Sequence, residues 1–334
     1  MKRIICLILT LSLLVCCTSC GSKKDENKPK SVSFKCFDTV CSLTIYDKMT
    51  NKDFKVVSQY FKDLCKNSDE NLSKTNKESF VSKINKEKTL DIYDKDADIV
   101  NKSIQFSKDT KGAFDITISP IVDLWNNTDK DFTVPKEQDI NKALKLVDYK
   151  QIKSDSDIYT LKKKGSIDLG AIAKGFVTDD IVKELKTGLI KSAIVDLGGN
   201  IYAHGSKNGS PFRVGIKKPF GNGKLSAIVK VKNKAVITSG IYQRYKKVNG
   251  KIYSHIMNPK TGKPINNDLY SVTVISDSGT TADALSTATM VMGLKKGMNF
   301  VNNRKDIEAV FIDKNNKLHL SKGLIKKGNI ITIK

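Results

Sequence analysis

The pattern of apolar and polar positions changes its period several times along the chain, which predicts a mixture of strands and helices. Residues 31–47 alternate like a pair of strands, and SAIVDLGG, LSAIVKVK, YSVTVISD and KGSIDL are typical of further strands. AVFIDKNNKLHLS is typical of a hairpin with a polar turn. In residues 52–73 the apolar side chains recur at helical spacing instead, at Val56, Val57, Tyr60, Phe61 and Leu64.

Three more stretches carry helical periodicity, over residues 97–110, 171–187 and 282–292. The second of them has an apolar residue at every fourth position and ends at Gly188, a plausible helix C-cap. This expected buried stripe consists of Ala173, Val177, Ile181 and Leu185. Strands and helices follow one another without a regular βα alternation. We therefore expect an α+β fold, with mixed, mostly antiparallel sheets packed with helices, in a single unit over residues 31–334.

The start of the chain is expected to be an export signal. Residues 1–20 have a basic start, a short apolar run and the segment CCTSCG, a pattern that predicts a lipoprotein signal peptide. The apolar run is too short for a comfortable membrane span. Cys20 is the expected lipidation site and Cys17 is the alternative; a plain secreted protein with stray cysteines is the other interpretation. Residues 21–30 would then form a flexible tether, which places the protein at the outer face of the cell membrane.

The formal net charge of +23 raises the question of nucleic-acid binding. Only four of the 58 basic residues are arginines, and the lysines are scattered rather than gathered with aromatic residues. This distribution favours a solvated basic surface on an exported protein, beside anionic lipid or wall polymer. We expect no nucleic-acid partner.

Three cysteines remain after the expected signal, at Cys36, Cys41 and Cys65. Cys36 and Cys41 lie in one predicted strand, and their odd spacing places them on opposite faces of it. No Cys and His residues fall at the spacing of zinc ligands. We therefore expect neither an essential disulfide nor a zinc site.

The segment SIDLGAIAKGFV predicts a strand end, a tight turn at Gly170 and the start of a helix. Free backbone amides at a helix N-terminus suit an anion, and Lys174 in the first turn would strengthen such a site. The alternative is a solvated lysine beside ordinary turn glycines. A second segment, AIVDLGGNIYAHG, carries the pair Gly198–Gly199, which marks either a close backbone approach or a simple loop.

His255 precedes NPKTGKP, whose Pro and Gly residues predict a rigid loop. It is the most plausible general base, or ligand-contacting imidazole, among three histidines. A packed histidine bonded to the backbone is the alternative interpretation.

The segment SGTTADALSTATMVMG predicts a helix with Thr280 or Thr281 as its N-cap. A carboxylate at Asp283 would be favourable in the first turn through the helix dipole alone. Thr287 follows one turn later, about 6 Å along the same face. Two oxygen donors so placed would suit Mg²⁺, with phosphate oxygens and a backbone carbonyl completing its shell.

Five of these motifs occur in the order and approximate spacing of a known family. DLGAIAKG, DLGGNIYAHG, SGIYQRY followed by HIMNPKTGKP, and ADALSTA resemble the FAD:protein FMN transferases, the ApbE-type flavin transferases. FDT near the start of the body and GAFDITISPIVDLW also match. The resemblance covers residues 34–320, and a lipoprotein signal is common in the family.

The resemblance implies a reaction. FAD binds, its pyrophosphate is cleaved with Mg²⁺, FMN passes to a Thr or Ser hydroxyl of a partner flavoprotein through a phosphoester bond, and AMP leaves. Metal donors would be Asp283, Thr287 and the carbonyl of Ala171. FAD contacts would come from Phe37, Leu72, Ala113, Phe114, Asp115, Asp168, Lys174, His255 and Ile256. His255 is also our candidate for the general base.

The chain departs from the family pattern in two places. The usual Met-Gly before the Thr of the first motif is Phe37–Asp38 here, and Asn258 stands where the family has an acid, so no role of that carboxylate carries over. DALSTAT loosely resembles the sequence that the family modifies, with Thr289 at the modified position, which suggests self-flavinylation as a minor alternative.

Two other functions fit the same motifs. One is an Mg²⁺-dependent FAD pyrophosphatase, in which water is the acceptor and FMN and AMP are released. The other is a flavin-binding lipoprotein without chemistry. The implied acceptors are exported flavoproteins, such as subunits of redox pumps or extracellular electron-transfer proteins.

Overall fold

The computed structural model describes residues 28–126, 132–188 and 190–334. The expected signal peptide, Cys17 and Cys20 lie outside the described residues, as does most of the expected tether. None of the described helices is both long and apolar enough to cross a membrane.

An antiparallel sheet of eight strands forms the centre of the structure. Its order is β1-β2-β6-β7-β10-β15-β16-β17. The strands are β1 (Lys30–Cys36), β2 (Thr39–Ile45), β6 (Ser192–Leu197), β7 (Asn200–Gly205), β10 (Lys234–Gly240), β15 (Leu269–Ser276), β16 (Ile307–Asp313) and β17 (Leu318–Leu320).

Smaller sheets surround the central one. A four-stranded sheet has the order β18-β19-β9-β8, in which only the β19–β9 pair is parallel, and a three-stranded sheet has the order β3-β5-β4. The strands are β3 (Thr89–Asp91), β4 (Lys153–Asp155), β5 (Ile158–Thr160), β8 (Phe212–Lys217), β9 (Leu225–Val231), β18 (Leu324–Lys327) and β19 (Ile330–Ile333). Two hairpins join β11 (Tyr245–Val248) to β12 (Lys251–Ser254) and β13 (Met257–Asn258) to β14 (Lys263–Pro264).

The helices pack mainly on one face of the central sheet. They are α1 (Asn51–Leu72), α2 (Phe80–Glu87), α3 (Asp94–Asp109), α4 (Ser119–Asn126), α5 (Glu137–Leu144), α6 (Ala173–Thr187) and α7 (Gly279–Asn302), with short 3₁₀ turns at Ile116–Ile118 and Tyr149–Gln151. Together with the antiparallel sheets they confirm the predicted α+β class.

The central sheet is buried on both faces because its side chains alternate. In β10, Ala235 and Ile237 pack into the core shared with the helices, whereas Val236 between them packs into the core shared with the four-stranded sheet. In β16, Phe311 packs into the core shared with the helices, and Val310 packs into the core shared with the four-stranded sheet. The result is three layers: helices, central sheet and smaller sheet.

Most of the predicted elements are present, including the strand pair at the start, the helix over residues 97–110 and the final hairpin. The stripe of α6 is buried as predicted, at Ala173, Val177, Ile181 and Leu185. The predicted helix α1 is confirmed. Val56 and Tyr60 are about half exposed, because the buried face of the helix contains Phe61 and Cys65 instead.

One predicted strand, KGSIDL, is wrong. Both backbone groups of Ile167 bond to the side chain of Asn85, and the amide of Asp168 donates to the carbonyl of Ile116. These partners satisfy an extended segment without a neighbouring strand.

The interpretation of the cysteines also changes. Cys36 ends β1 and Cys41 lies in β2, so the two belong to antiparallel neighbours rather than to one strand. Both thiols are buried and free, as is that of Cys65. Burial raises the pKa of Cys36 to about 12.

Helices α6 and α7 approach each other more closely than side chains would allow. A Cβ at Gly175 would lie 2.3 Å from the carbonyl oxygen of Gly279 and 2.5 Å from the Cβ of Asp283. Each helix also caps the other. The carboxylate of Asp179 in α6 accepts from Ser278 Oγ and from the amide of Thr280 at the start of α7. Asp283 in α7 accepts from the amide of Gly175 at 2.8 Å.

This contact makes Gly175 sensitive to the smallest substitution. We expect Gly175→Ala to lower the free energy of unfolding by about 1–3 kcal/mol, because the methyl group meets backbone atoms that cannot move independently. The gain in helix propensity of about 1 kcal/mol only partly offsets this clash. Denaturant unfolding of both proteins measures the difference.

Gly188→Ala is the matched control, since the added Cβ at the other end of α6 would meet its nearest atom at 3.4 Å. We expect that variant to change stability by less than about 0.5 kcal/mol. Equal stability of the two variants would contradict a close contact between α6 and α7.

Candidate active site

A cavity of about 1380 Å³ lies beside the start of α6 and the first turns of α7. Every residue that the sequence pointed to as a metal or FAD ligand lines it, although these residues come from distant parts of the chain. They are Phe37, Leu72, Ala113, Phe114, Asp115, Asp168, Ala171, Lys174, His255, Ile256, Asp283 and Thr287. The predicted grouping in space is therefore present.

The start of α6 has an unusual hydrogen-bond arrangement. Its N-cap, Ile172, has no side chain that can accept a bond from the first amides. In a continuing helix the amide of Gly175 would bond to the carbonyl of Ala171, but it donates to Asp283 Oδ2 instead. As a result, the Ala171 carbonyl accepts no hydrogen bond from the described residues and remains available to another partner in the cavity.

Asp283 does not lie in the first turn of its own helix, where the helix dipole would favour a carboxylate. The N-cap of α7 is Ser278, whose hydroxyl accepts from the amide of Thr281, so the predicted caps Thr280 and Thr281 are wrong. The helix begins earlier than predicted because Asp179 also bonds there, and this leaves Asp283 beyond the first turn. Its carboxylate caps α6 instead.

Asp283 and Thr287 lie on one face of α7 and both line the cavity, as their spacing predicted. Burial raises the pKa of Asp283, while Lys174 and the amide of Gly175 act in the opposite direction. The hydroxyl of Thr287 lies 3.1 Å from that of Ser239, a cavity residue on β10 that sequence reasoning missed.

These oxygens fit a hard cation. One carboxylate, one hydroxyl and one backbone carbonyl are ligands of the kind that Mg²⁺ uses, usually together with substrate phosphates. The described residues contain no group of three His, Cys, Asp or Glu side chains arranged to hold a metal. A metal at this place would therefore depend on the substrate for part of its shell.

Lys74 is a cavity residue that the sequence did not reveal. Its Nζ lies 2.9 Å from Asp168 Oδ2 and 2.6 Å from Asp123 Oδ1. Burial opposes the charged form of Lys74, but the two carboxylates outweigh it and raise its pKa. The other Asp168 oxygen accepts from the amide of Gly170, so this carboxylate is fixed in place. Lys74 follows α1 and reaches Asp168 only through the fold, which leaves no local signal.

The segment from Ala113 to Asp115 forms another wall. The carboxylate of Asp115 accepts from the amide and hydroxyl of Thr117 and from the amide of Tyr149, so both of its oxygens hold the loop together. Burial raises its pKa against these hydrogen bonds. These bonds give the segment a fixed shape at the cavity wall.

Phe37 lies in the two-residue turn between β1 and β2. Phe37 and Asp38 both have positive φ, at 52° and 53°, which Asn-Gly or similar pairs usually adopt in such turns. The amide of Phe37 donates to Asp69 Oδ2 at 2.9 Å, and this bond helps to hold a bulky residue in a strained conformation.

The Gly198–Gly199 turn makes the close backbone approach that was one of its two interpretations. A Cβ at Gly198 would lie 2.3 Å from the side chain of Thr39. The amide of Gly199 donates to Asp196 Oδ1, and Asn200 follows directly with its side chain in the cavity wall. Asn200 is a further residue that sequence reasoning missed.

His255 has the arrangement of a neutral base. Its Nδ1 lies 2.8 Å from the carbonyl of Arg244, which can only accept, so Nδ1 carries the proton and Nε2 keeps its lone pair. The ring is exposed to solvent in the cavity, and partial desolvation by the surrounding protein lowers its pKa. The backbone bond acts against that shift, whereas the charges of Arg244 and Lys174 add to it.

Unlike His255, Thr289 does not line the cavity. It is fully buried, and its hydroxyl donates to the carbonyl of Leu285. This burial disfavours the self-flavinylation alternative.

Curated relatives share much of this sequence. The FAD:protein FMN transferase of Treponema pallidum is 28% identical over 98% of this chain and 97% of its own length. The FAD:protein FMN transferase of Escherichia coli K12 is 31% identical over 73% of this chain and 72% of its own length.

Solved structures share the fold. The ApbE protein of Thermotoga maritima has a TM-score of 0.81 and 28% identity, covering 88% of this chain and 97% of that one. The flavin transferase ApbE from Vibrio cholerae has a TM-score of 0.78 and 26% identity, covering 88% and 98%. A model described as the ApbE family matches residues 37–311, which include every residue placed in the cavity above. The chain therefore belongs to the ApbE family, as its motifs predicted.

Proposed function

We propose that this protein transfers FMN from FAD to a Ser or Thr hydroxyl of another protein and releases AMP, with Mg²⁺ as the cation. One observation carries the proposal. The amide of Gly175 bonds to Asp283, and this leaves the Ala171 carbonyl free in the cavity that Asp283 and Thr287 also line. The names of the relatives describe transfer of FMN from FAD to a protein for those proteins.

The residues of the cavity would have different roles in the reaction. Asp283, Thr287 and the Ala171 carbonyl would hold Mg²⁺, which supplies positive charge to the phosphate oxygens. Lys174 would add a further positive charge at the start of α6, where the positive end of the helix dipole also favours an anion. The remaining wall, from Phe37 and Leu72 to Phe114 and Ile256, offers apolar surface to the flavin and adenine rings.

The chemical step is a phosphoryl transfer. The acceptor hydroxyl oxygen forms a bond to the phosphorus of the FMN half, the anhydride bond to the AMP phosphate breaks, and AMP takes the electron pair. His255 Nε2 would accept the hydroxyl proton, because its lone pair is free while Nδ1–H is held by Arg244. Most of the acceleration in such reactions comes from positioning and charge.

The acceptor decides between transfer and hydrolysis. Water at the same place would give FMN and AMP, and a site without turnover would only bind FAD. We propose an exported flavoprotein as the acceptor, since the start of the chain has the pattern of an exported lipoprotein.

Mass spectrometry of a reaction mixture tests the function. The mixture contains the purified protein, FAD, Mg²⁺ and a candidate acceptor domain. We expect an FMN adduct on a Ser or Thr of the acceptor and free AMP. Free FMN and AMP with an unmodified acceptor would favour the pyrophosphatase. Intact FAD would favour the flavin-binding protein and would contradict the proposal.

Asp283→Asn is the matched variant for this assay. Asn keeps an oxygen that can accept from Gly175, so the start of α6 stays capped, while the negative charge is lost. We expect the adduct to disappear without a change in the circular dichroism spectrum. Full activity of the variant would contradict the metal role of Asp283.

The pH dependence tests His255. The base must be neutral, and its pKa lies below the ordinary 6.5, so we expect the transfer rate to hold at neutral pH and to fall only as the pH drops through that lowered value. His255→Gln should reduce the rate by about 10²–10⁴-fold and remove this fall.

Single-turnover rates measured over a range of Mg²⁺ concentrations distinguish His255 from Asp283, because the cation competes with protons for the Asp283 carboxylate. If the pH at which the rate falls shifts with the Mg²⁺ concentration, the fall comes from Asp283. A fall that persists in His255→Gln would rule out His255 as its source.

We also propose that Cys20 anchors the protein at the outer face of the membrane. We expect Cys20→Ala to move the protein from the membrane fraction to the soluble fraction of the cell, and Cys17→Ala to leave it at the membrane. The reverse result would make Cys17 the lipidated residue, and no change in either variant would contradict the anchor.

A further inference from the structure

The side-chain amide of Asn200 is buried without a hydrogen-bond partner for its Nδ2 among the described residues. Asn200 opens β7 immediately after the Gly198–Gly199 turn, and its side chain is 4% exposed. A buried donor without an acceptor costs about 1–3 kcal/mol, so the fold alone gives no reason for an amide here.

A candidate acceptor is the carboxylate of Asp283. Asn200 and Asp283 line the same cavity, and α7, which carries Asp283, packs against β7, which carries Asn200. On the α6 side, the amide of Gly175 already holds Oδ2 at 2.8 Å. A donor from β7 would give this carboxylate a second hydrogen bond at the cavity wall.

The strand that carries Asn200 is well placed to fix an orientation. β7 lies inside the central sheet between β6 and β10, and Asn200 pairs with Ile237 of β10. This pair holds the backbone of Asn200 on one side, and the ladder with β6 begins at the next residue, Ile201. The sheet therefore fixes the position of the Asn200 backbone at the cavity wall.

We propose that Asn200 is a positioning residue for Asp283, whose Nδ2 donates to the carboxylate and directs its free lone pair toward the cation. The proposal rests on the metal role of Asp283 stated above. Partners of this kind hold the ligands of a metal in place, and their loss typically costs 10–100-fold in metal affinity.

The chemistry of the amide suits this task better than that of a charged group. A lysine here would neutralise Asp283 and compete with the cation, and a second carboxylate could not donate to the first when both are ionised. An amide orients the carboxylate without changing the net charge of the site.

Calorimetric titration of Mg²⁺ into the purified full chain, both alone and saturated with FAD, tests the proposal. The test variant is Asn200→Leu, which is similar in size and has no donor. We expect its Mg²⁺ affinity to fall by about 10–100-fold. We also expect its stability toward denaturant to be equal to or higher than that of the wild type, because an unpaired buried donor is removed.

Ser271→Ala is the control. Ser271 Oγ is likewise buried without a partner in the described residues, but Ser271 is not among the residues that line the cavity. We expect this variant to bind Mg²⁺ as the wild type does. If Asn200→Leu fails to fold, Asn200→Val replaces it, since Val also lacks a donor and β-branched residues suit strands.

The outcomes separate this proposal from the function itself. Wild type that binds no Mg²⁺ would overturn both the metal site and the role of Asn200. Wild-type affinity in Asn200→Leu would overturn the role of Asn200 alone. Unchanged Mg²⁺ affinity with weaker FAD binding would also overturn it and would make Asn200 a substrate contact.

Discussion

The site depends on the close contact between α6 and α7. Gly175 and Gly279 allow the two helix starts to touch, and each helix supplies a carboxylate that caps the other. The bond from Gly175 to Asp283 has two effects at once. It satisfies an orphan amide of α6, and it leaves the Ala171 carbonyl without a helical partner. A structural cap and a candidate metal ligand are therefore the same side chain.

The central sheet supports this contact, because α7 packs against β10 and β15. Alternating side chains bury much of both faces of the sheet, and the cavity forms beside the helix starts and the turns between strands. Ser239 on β10 and Asn200 on β7 reach the cavity from the sheet, while Asp283 and Thr287 reach it from α7. Sites held by strands and helices keep their geometry better than sites held by loops.

Local spacing correctly predicted the features that depend on a single helix. The four-residue step from Asp283 to Thr287 fixes a common helix face, and the stripe of α6 fixes its buried side. Contacts between distant segments left no such signal. Asp283 meets Gly175 across 108 residues, and Lys74 meets Asp168 through an ion pair between separate parts of the chain.

The failed prediction at KGSIDL has the same origin. Apolar alternation predicted a strand, but the hydrogen bonds of Ile167 go to the Asn85 side chain. Similarly, two threonines were plausible caps for α7, and the choice of Ser278 follows from Asp179 on another helix. Motifs taken together gave the family, because their order along the chain carries information that no single motif contains.

The size of the cavity bears on the choice between transfer and hydrolysis. Pockets for small ligands usually measure about 300–1,000 Å³, and this one measures about 1380 Å³. For the proposed reaction the cavity must admit FAD together with the acceptor segment that carries the hydroxyl. Without the acceptor, water would fill the same space beside His255. The protein's own residues provide charge and a base, but only the acceptor can exclude the competing nucleophile. Acceptor binding would thus govern both the specificity of the enzyme and the fate of FMN.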